Sequence, residues 1–109
     1  MNTRIDYLYR DGDNYKFPQS EVLAGEISAD QIRQIIDTLD EGEYFIPGQV
    51  GFNCGYAFGY AQNDSDHPWC EMDECGFELT SEEPTLDLTV EEVVASFLRA
   101  KGNWDDNRA

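Results

Sequence analysis

The octapeptide TRIDYLYR, Thr3–Arg10, decides how this 109-residue chain begins to fold. Its polar and apolar side chains alternate, so that one side of an extended chain carries Ile5, Tyr7 and Tyr9. The other side carries charged residues and Leu8. A period of two residues predicts a β-strand with one buried face.

A turn and a returning strand follow the octapeptide. Residues 11–14 read Asp-Gly-Asp-Asn, a run of residue types that tolerate positive φ, and predict a turn. Residues 15–17 begin a second strand, and residues 21–24 resume it. Pro18 lacks an amide hydrogen, so it interrupts this strand or places it at the edge of a sheet. The chain is therefore expected to start with a β-hairpin.

A first helix is predicted over residues 28–41. Ser28 and Gln31 have the spacing of a capping box, in which the two side chains satisfy free amides of the first turn. Gly42 is suited to end the helix in a left-handed conformation. The apolar stripe at helical spacing consists of Ile32, Ile35, Ile36 and Leu39.

A second helix is predicted over residues 89–101. Thr89 and Glu92 form a second capping box, and Gly102 follows the last helical residues. The apolar stripe of this helix consists of Val90, Val93, Val94, Phe97 and Leu98.

The region between the two helices is less regular. Residues 43–50 have an apolar run that favours a strand, and residues 51–61 alternate glycines with aromatics. Four further side chains are expected to reach the core from short strands: Phe77, Leu79, Leu86 and Leu88. The fold class is α+β, with two helices packed on one antiparallel sheet. We expect a single domain over residues 1–102 and a tail over 103–109, pinned by Trp104.

The charge of the chain is strongly negative. Its formal net charge is −16, whereas a magnitude of about 2–8 is ordinary for a small soluble domain. Residues 34–98 contain fifteen Asp and Glu residues and no Lys or Arg. This field opposes binding to nucleic-acid phosphates and to anionic membranes. It favours a basic partner surface, cations or a high-salt habitat.

The densest acidic stretch is the predicted partner-binding site. Carboxylates at i and i+2 of a strand lie ~6.7 Å apart, and those at i and i+4 of a helix lie ~5–6 Å apart. Both spacings are close to that of successive phosphates along a nucleic-acid strand. The alternative is a solvated face that serves solubility alone. The predicted contacts are Asp64, Asp66, Glu71, Asp73, Glu74, Glu78, Glu82 and Glu83. The aromatics Tyr56, Phe58, Tyr60 and Trp69 are either core or an interface cluster beside these acids.

A zinc site is a second possibility. Cys54, His67, Cys70 and Cys75 together could supply a tetrahedral Cys₃His ligand set. The spacing His67-x-x-Cys70 is compact, but the chain has no Cys-x-x-Cys pair. The alternative is that these are unliganded thiols and a surface histidine, and no metal is our main expectation.

The chain has no motif that predicts catalysis. It contains one His and no phosphate-binding or nucleophile-elbow motif, so no nucleophile, base and orienting group can be named. We expect a protein that is not an enzyme. No apolar leader or membrane-spanning run is present in the sequence, which indicates a cytoplasmic protein.

The chain has two separate resemblances, of which the first implies no activity. Residues 7–16, with the pattern Tyr-x-Tyr-Arg-Asp followed by Asn-Tyr-Lys, and residues 40–51 resemble a group of small uncharacterised bacterial and mobile-element proteins. The size and charge resemble the phage and plasmid inhibitors that mimic DNA, such as anti-CRISPR and anti-restriction proteins. This second resemblance implies an inhibitor that occupies the cationic DNA- or RNA-binding channel of a host-defence complex. A zinc-stabilised binding module and a soluble acidic accessory protein stay open as alternatives, as does the oligomeric state.

Overall fold

The computed structural model describes residues 1–10, 16–52 and 69–104, without the side chains of Arg10 and Phe17. The described part of the chain is an α+β structure with a five-stranded antiparallel sheet and two helices, which confirms the predicted fold class. In chain order the elements are β1 (Asn2–Arg10), β2 (Lys16–Leu23), α1 (Ala29–Thr38), β3 (Tyr44–Phe45), β4 (Cys70–Glu71), β5 (Phe77–Thr80) and α2 (Val90–Ala100). Short 3-10 helices lie at Pro47–Gln49 and Glu74–Gly76.

Strand β1 lies at the centre of the sheet. It pairs with β2 along one edge, from Thr3 opposite Leu23 to Arg10 opposite Lys16, so the predicted hairpin is confirmed. Along its other edge β1 pairs with β5 near its start and with β4 near its end. Strand β3 continues the sheet beyond β4. The strand predicted for residues 43–50 is much shorter in the structure. Strand β3 covers only Tyr44–Phe45, because a 3-10 helix begins at Pro47.

Strand β2 is an edge strand, as Pro18 predicted. Part of its outer edge is covered by the segment that leads into α2. The amide of Val22 donates to the Thr85 hydroxyl (2.8 Å), and the Val22 carbonyl accepts from the Thr85 amide (2.9 Å). Ala24 forms a parallel bridge with Thr89 a little further on. These bonds satisfy backbone groups that an edge strand otherwise leaves open to other chains.

The core lies between the sheet and the two helices. Ile5, Tyr7 and Tyr9 are at most 4% exposed, and they form one cluster with side chains of both helices. The alternation of TRIDYLYR thus selects the buried face of β1, as predicted. Phe45 packs against Tyr7 and Phe97 with ring centroids 5.5 Å apart in each pair. Such aromatic pairs contribute about 0.5–1.5 kcal/mol each beyond the area that they bury.

Both capping boxes are present. Ser28 accepts from the Gln31 amide while the Gln31 side chain accepts from the Ser28 amide, and Thr89 and Glu92 do the same for α2. Helix α1, however, ends at Thr38, three residues before its predicted end. Leu39 is already extended, and Asp40 bridges to Tyr44, so the chain turns back into the sheet at this point. The pairing of Asp40 competes with continuation of the helix.

Two leucines that were expected in the core are exposed. Leu79 is 46% exposed because β5 pairs with β1 only through Asn2–Ile5, and Leu79 lies opposite Thr3 near the end of the sheet. Leu98 is 49% exposed because the buried stripe of α2 continues from Phe97 to Ala100. Phe77, Leu86 and Leu88 do pack against the core, as predicted.

Trp104 fastens the end of α2 to the end of α1. Its indole N–H donates to the Thr38 carbonyl (2.9 Å), and its ring packs edge-on against Phe97 at 6.1 Å. The bond satisfies one of the carbonyls that every helix leaves free in its last turn. Among the described helices, neither is long and apolar enough to cross a membrane.

Candidate partner-binding surface

The carboxylates of the described residues are almost all accessible to solvent. Only Glu21 is buried and only Glu71 is half-buried, while the other described Asp and Glu side chains are exposed. Exposed carboxylates can meet a partner without a large change in the fold. The question is which of them the tertiary structure brings together.

Three carboxylates form a staggered row on one face of the sheet. Glu78 lies opposite Arg4, Asp6 follows on β1, and Glu71 lies opposite Leu8. Paired residues of antiparallel strands share a face, and this face is the one opposite Ile5 and Tyr7. Each step of two residues along β1 is ~6.7 Å, so the row of Glu78, Asp6 and Glu71 spans about 13 Å. We call these three residues the acidic row.

The 3-10 helix at Glu74–Gly76 lies between β4 and β5. The residue that caps it, Asp73, adds a fourth carboxylate. Asp73 caps this helix by accepting from the Cys75 amide (2.9 Å), so its side chain is held in place. Gly76 ends the helix against β1, where a Cβ atom would lie 2.6 Å from the Asp6 carbonyl oxygen. A side chain at position 76 would therefore push this segment away from the sheet.

A surface cavity of about 450 Å³ lies beside the row. Its acidic lining residues are Asp6, Glu43, Glu71 and Asp73, and Leu8 and Met72 supply apolar walls. The Met72 amide donates to the Glu43 carbonyl (3.0 Å). This hydrogen bond joins the segment that contains Glu43 to the one that contains Glu71 and Asp73. No Lys or Arg of the described residues lines this cavity. It can accept the cationic side chains of a partner.

Arg4 lies in the middle of the acidic face, although the sequence places it far from the acidic stretch. Its Nε donates to Asp6 Oδ1 (2.9 Å) and its Nη1 to Glu82 Oε1 (3.4 Å). The hydrogen bond that Arg4 donates to Asp6, and then the charge of Asp6, raise the pKa of Arg4 above its usual value, so it stays cationic. It offsets part of the local charge and orders two of the carboxylates. Because all three side chains are exposed, solvent screens these pairs and they contribute little to stability.

The predicted contact residues fall into different places. Glu71 and Asp73 line the same cavity, Glu78 belongs to the acidic row, and Glu82 pairs with Arg4. Glu83 is exposed. Glu74 instead lines a separate cavity with the side chains of α1, including Arg33 and Asp37. Asp64 and Asp66 lie outside the described residues, as do Tyr56, Phe58 and Tyr60.

Sequence reasoning missed two acidic members of this surface. Asp6 was assigned to the polar face of the first strand but not to the binding site, and Glu43 was assigned to a strand. The alternation in Thr3–Arg10 does put Asp6 on the exposed face. Nothing local indicates that this face lies beside Glu71 and Glu78, because strand pairing over more than sixty residues decides it.

The zinc prediction remains a prediction. Cys70 is fully buried on β4 among core side chains, whereas the Cys75 thiol is exposed in the 3-10 helix. Within residues 1–10, 16–52 and 69–104, no three His, Cys, Asp or Glu side chains are grouped to hold a metal ion. Cys54 and His67 lie outside these ranges, so the four-ligand set is not described as a whole.

The fold and this surface define the class: a small acidic α+β domain that exposes carboxylates on the sheet face opposite its core. Comparison with known proteins found no matching family model, no similar curated protein and no similar solved structure. The function must therefore be argued from the surface itself.

Proposed function

We propose that this protein is a non-enzymatic inhibitor that mimics nucleic acid. It binds the cationic DNA- or RNA-binding channel of a host-defence complex, in the manner of anti-CRISPR or anti-restriction proteins, and blocks the channel by steric and electrostatic means. It acts in the cytoplasm of a bacterial host cell. The partner is a basic protein or complex, and the inhibitor itself binds neither nucleic acid nor membrane.

The acidic row is the observation that carries the proposal. Glu78, Asp6 and Glu71, on three paired strands, advance by ~6.7 Å per step along the direction of β1, which is close to the repeat of phosphates along one nucleic-acid strand. Asp73 is fixed beside the row by its own hydrogen bond to the Cys75 amide. A channel lined with Lys and Arg at the spacing of phosphates can therefore meet this face in register.

The described ion pairs offset only part of the negative charge of the protein. Arg4, Arg33 and Lys101 are each paired with a carboxylate of the protein itself. The net charge of −16 then acts at long range on a basic partner. Electrostatic steering of this kind raises association rates and makes them fall with ionic strength, over a Debye length of ~8–10 Å.

Capture of a partner from bacterial lysate tests the proposal. The immobilised protein is incubated at low salt and eluted with a salt gradient, and its zinc content is measured on the same sample. We expect a nucleic-acid-binding complex that elutes as salt rises and that DNA or RNA displaces. Absence of a basic partner, together with stoichiometric zinc, would reject the inhibitor and support the zinc-stabilised module. Absence of both would leave the accessory protein.

A matched pair of variants separates a mimic from charge in general. The site variant Glu71→Gln, Asp73→Asn, Glu78→Gln and the control variant Glu26→Gln, Asp87→Asn, Glu91→Gln each remove three negative charges. Both change the net charge from −16 to −13. Exposed ion pairs contribute ~0.2–1 kcal/mol each, so the site variant is expected to bind about 3- to 150-fold more weakly. Equal weakening by both variants would mean that only total charge matters.

A further inference from the structure

A third surface cavity lies where the two helices end. It has a volume of about 430 Å³. We call it the tryptophan cavity. Its chemically distinctive lining residues are Asp37, Asp40, Glu41, Trp69, Lys101 and Trp104.

Both indole rings are held in position. Trp104 donates its N–H to the Thr38 carbonyl, so its nitrogen is satisfied, and a ligand can contact only the part of its ring that Phe97 and Trp69 leave uncovered. The Trp69 and Trp104 centroids are 6.4 Å apart and their planes are inclined at 58°, so the two rings contact each other and together line one side of the cavity. Indole is the best of the aromatic rings at attracting a cation placed over its face within about 6 Å.

The electrostatics of the cavity also favour a cation. Three carboxylates and one ammonium group line it, which gives a formal charge of −2. Helix α1 ends here, and a helix C-terminus carries a partial charge of roughly −0.5. The last turn of α1 contains no basic residue that would compensate it. Lys101 Nζ already binds Asp37 Oδ2 at 2.6 Å, so one ammonium group is held at this place within the protein.

The backbone at this cavity is arranged to present an acid. Glu41 has φ = 54°, a left-handed conformation that a residue with a side chain rarely adopts, and Gly42 follows with φ = 75°. The turn places Asp40 opposite Tyr44 and brings Asp40 and Glu41 to the cavity together. Glycine or asparagine would suit position 41 better on conformational grounds alone.

We propose that the tryptophan cavity binds the guanidinium group of an arginine side chain. Guanidinium is planar and weakly hydrated, it stacks on aromatic rings, and it donates to carboxylates from a fixed fork. The inference rests on the proposed function in one respect: the arginine is supplied by the basic surface of the partner. The cavity then gives that contact a specific anchor, in addition to the unspecific attraction of the acidic face.

Intrinsic fluorescence provides the test, because the only two tryptophans of the chain both line this cavity. The protein is titrated with N-acetyl-arginine amide and, as the neutral isostere, with N-acetyl-citrulline amide. We expect a saturable change in tryptophan emission with the arginine compound alone. Trp69→Phe and Trp104→Phe each leave one reporter, and circular dichroism verifies that the variants fold. Equal responses to both compounds, or no saturation, would overturn the assignment.

Charge variants test whether the carboxylates of the cavity favour arginine binding and whether Lys101 opposes it. Asp40→Asn with Glu41→Gln is expected to weaken arginine binding about 2- to 30-fold, and Lys101→Ala to strengthen it. The control Asp87→Asn with Glu91→Gln is expected to leave binding unchanged. Stronger binding by Arg108→Gln would identify an arginine of this chain as the occupant and overturn its assignment to a partner. Arginine binding without partner capture would reject the proposed function alone. Partner capture without arginine binding would reject the cavity alone.

Discussion

The substitution Thr85→Val tests how residues 81–88, the segment between β5 and α2, are held against the sheet. The Thr85 hydroxyl accepts from the Val22 amide at 2.8 Å and donates to Glu21 Oε1 at 2.7 Å. Val22 is 2% exposed and Glu21 is 3% exposed. Valine has nearly the same shape as threonine but no hydroxyl, so the change removes both bonds and leaves the volume almost unchanged.

The expected loss of stability follows from these two bonds. A buried amide left without an acceptor costs ~1–3 kcal/mol, and a hydrogen bond to a charged group contributes ~1.5–3 kcal/mol. Thr85 itself is exposed, so water replaces part of both bonds, and Glu21 has further interactions of its own. We therefore expect a net loss of about 1–3 kcal/mol. At about 4 °C per kcal/mol for a domain of this size, Tm falls by about 4–12 °C.

Urea denaturation followed by circular dichroism measures this loss directly. Thr85→Ser retains the hydroxyl and is expected to lose less than about 1 kcal/mol. Thr80→Val is a second control, because the Thr80 hydroxyl accepts from the amide of Glu82, which is exposed to solvent. Equal stability of Thr85→Val and Thr85→Ser, or an equal loss of stability in Thr80→Val and Thr85→Val, would refute the contribution of these two bonds.

Three further predictions concern the backbone and the thiols. Glu41→Gly is expected to raise the free energy of unfolding by about 0.5–1 kcal/mol, because relief of the left-handed strain (~1–2 kcal/mol) exceeds the entropic penalty of glycine. The midpoint of chemical denaturation measures this gain, and an unchanged midpoint would contradict the prediction. Gly76→Ala is expected to lose about 1–3 kcal/mol, because its Cβ meets the backbone of β1, whereas Gly48→Ala, with open space around it, is expected to be neutral. Equal midpoints for these two variants would show that the approach to β1 is not tight. In a Cys54→Ser background, a thiol reagent is expected to label the exposed Cys75 at once and the buried Cys70 only on unfolding, and fast labelling of both would contradict the described burial.

The contrast between the acidic row and Glu74 shows why a binding surface is harder to predict than a fold class. Asp73 and Glu74 are neighbours in the sequence and look equivalent. The 3-10 helix between β4 and β5 turns them apart, so that Asp73 lines the cavity beside the row and Glu74 faces α1. Arg4 enters the same surface from the far end of the chain. A count of charges along the sequence predicts neither the separation of Asp73 from Glu74 nor the position of Arg4.

Local physical chemistry by itself determined the N-terminal hairpin, both capping boxes and the buried stripe of α2. Alternation with a period of two and capping by neighbouring side chains act over a few residues, so they can be read directly from the chain. The strong negative charge is a property of composition and needed no structure. Only the tertiary structure decided where α1 ends, which leucines stay exposed, and which carboxylates meet Arg4 and Asp6. The end of α1 depends on the bridge from Asp40 to Tyr44, and the exposure of Leu98 depends on how α2 packs. The grouping of the carboxylates depends on pairing β1 with strands some seventy residues away, and such pairing is selected by the packing of the whole core.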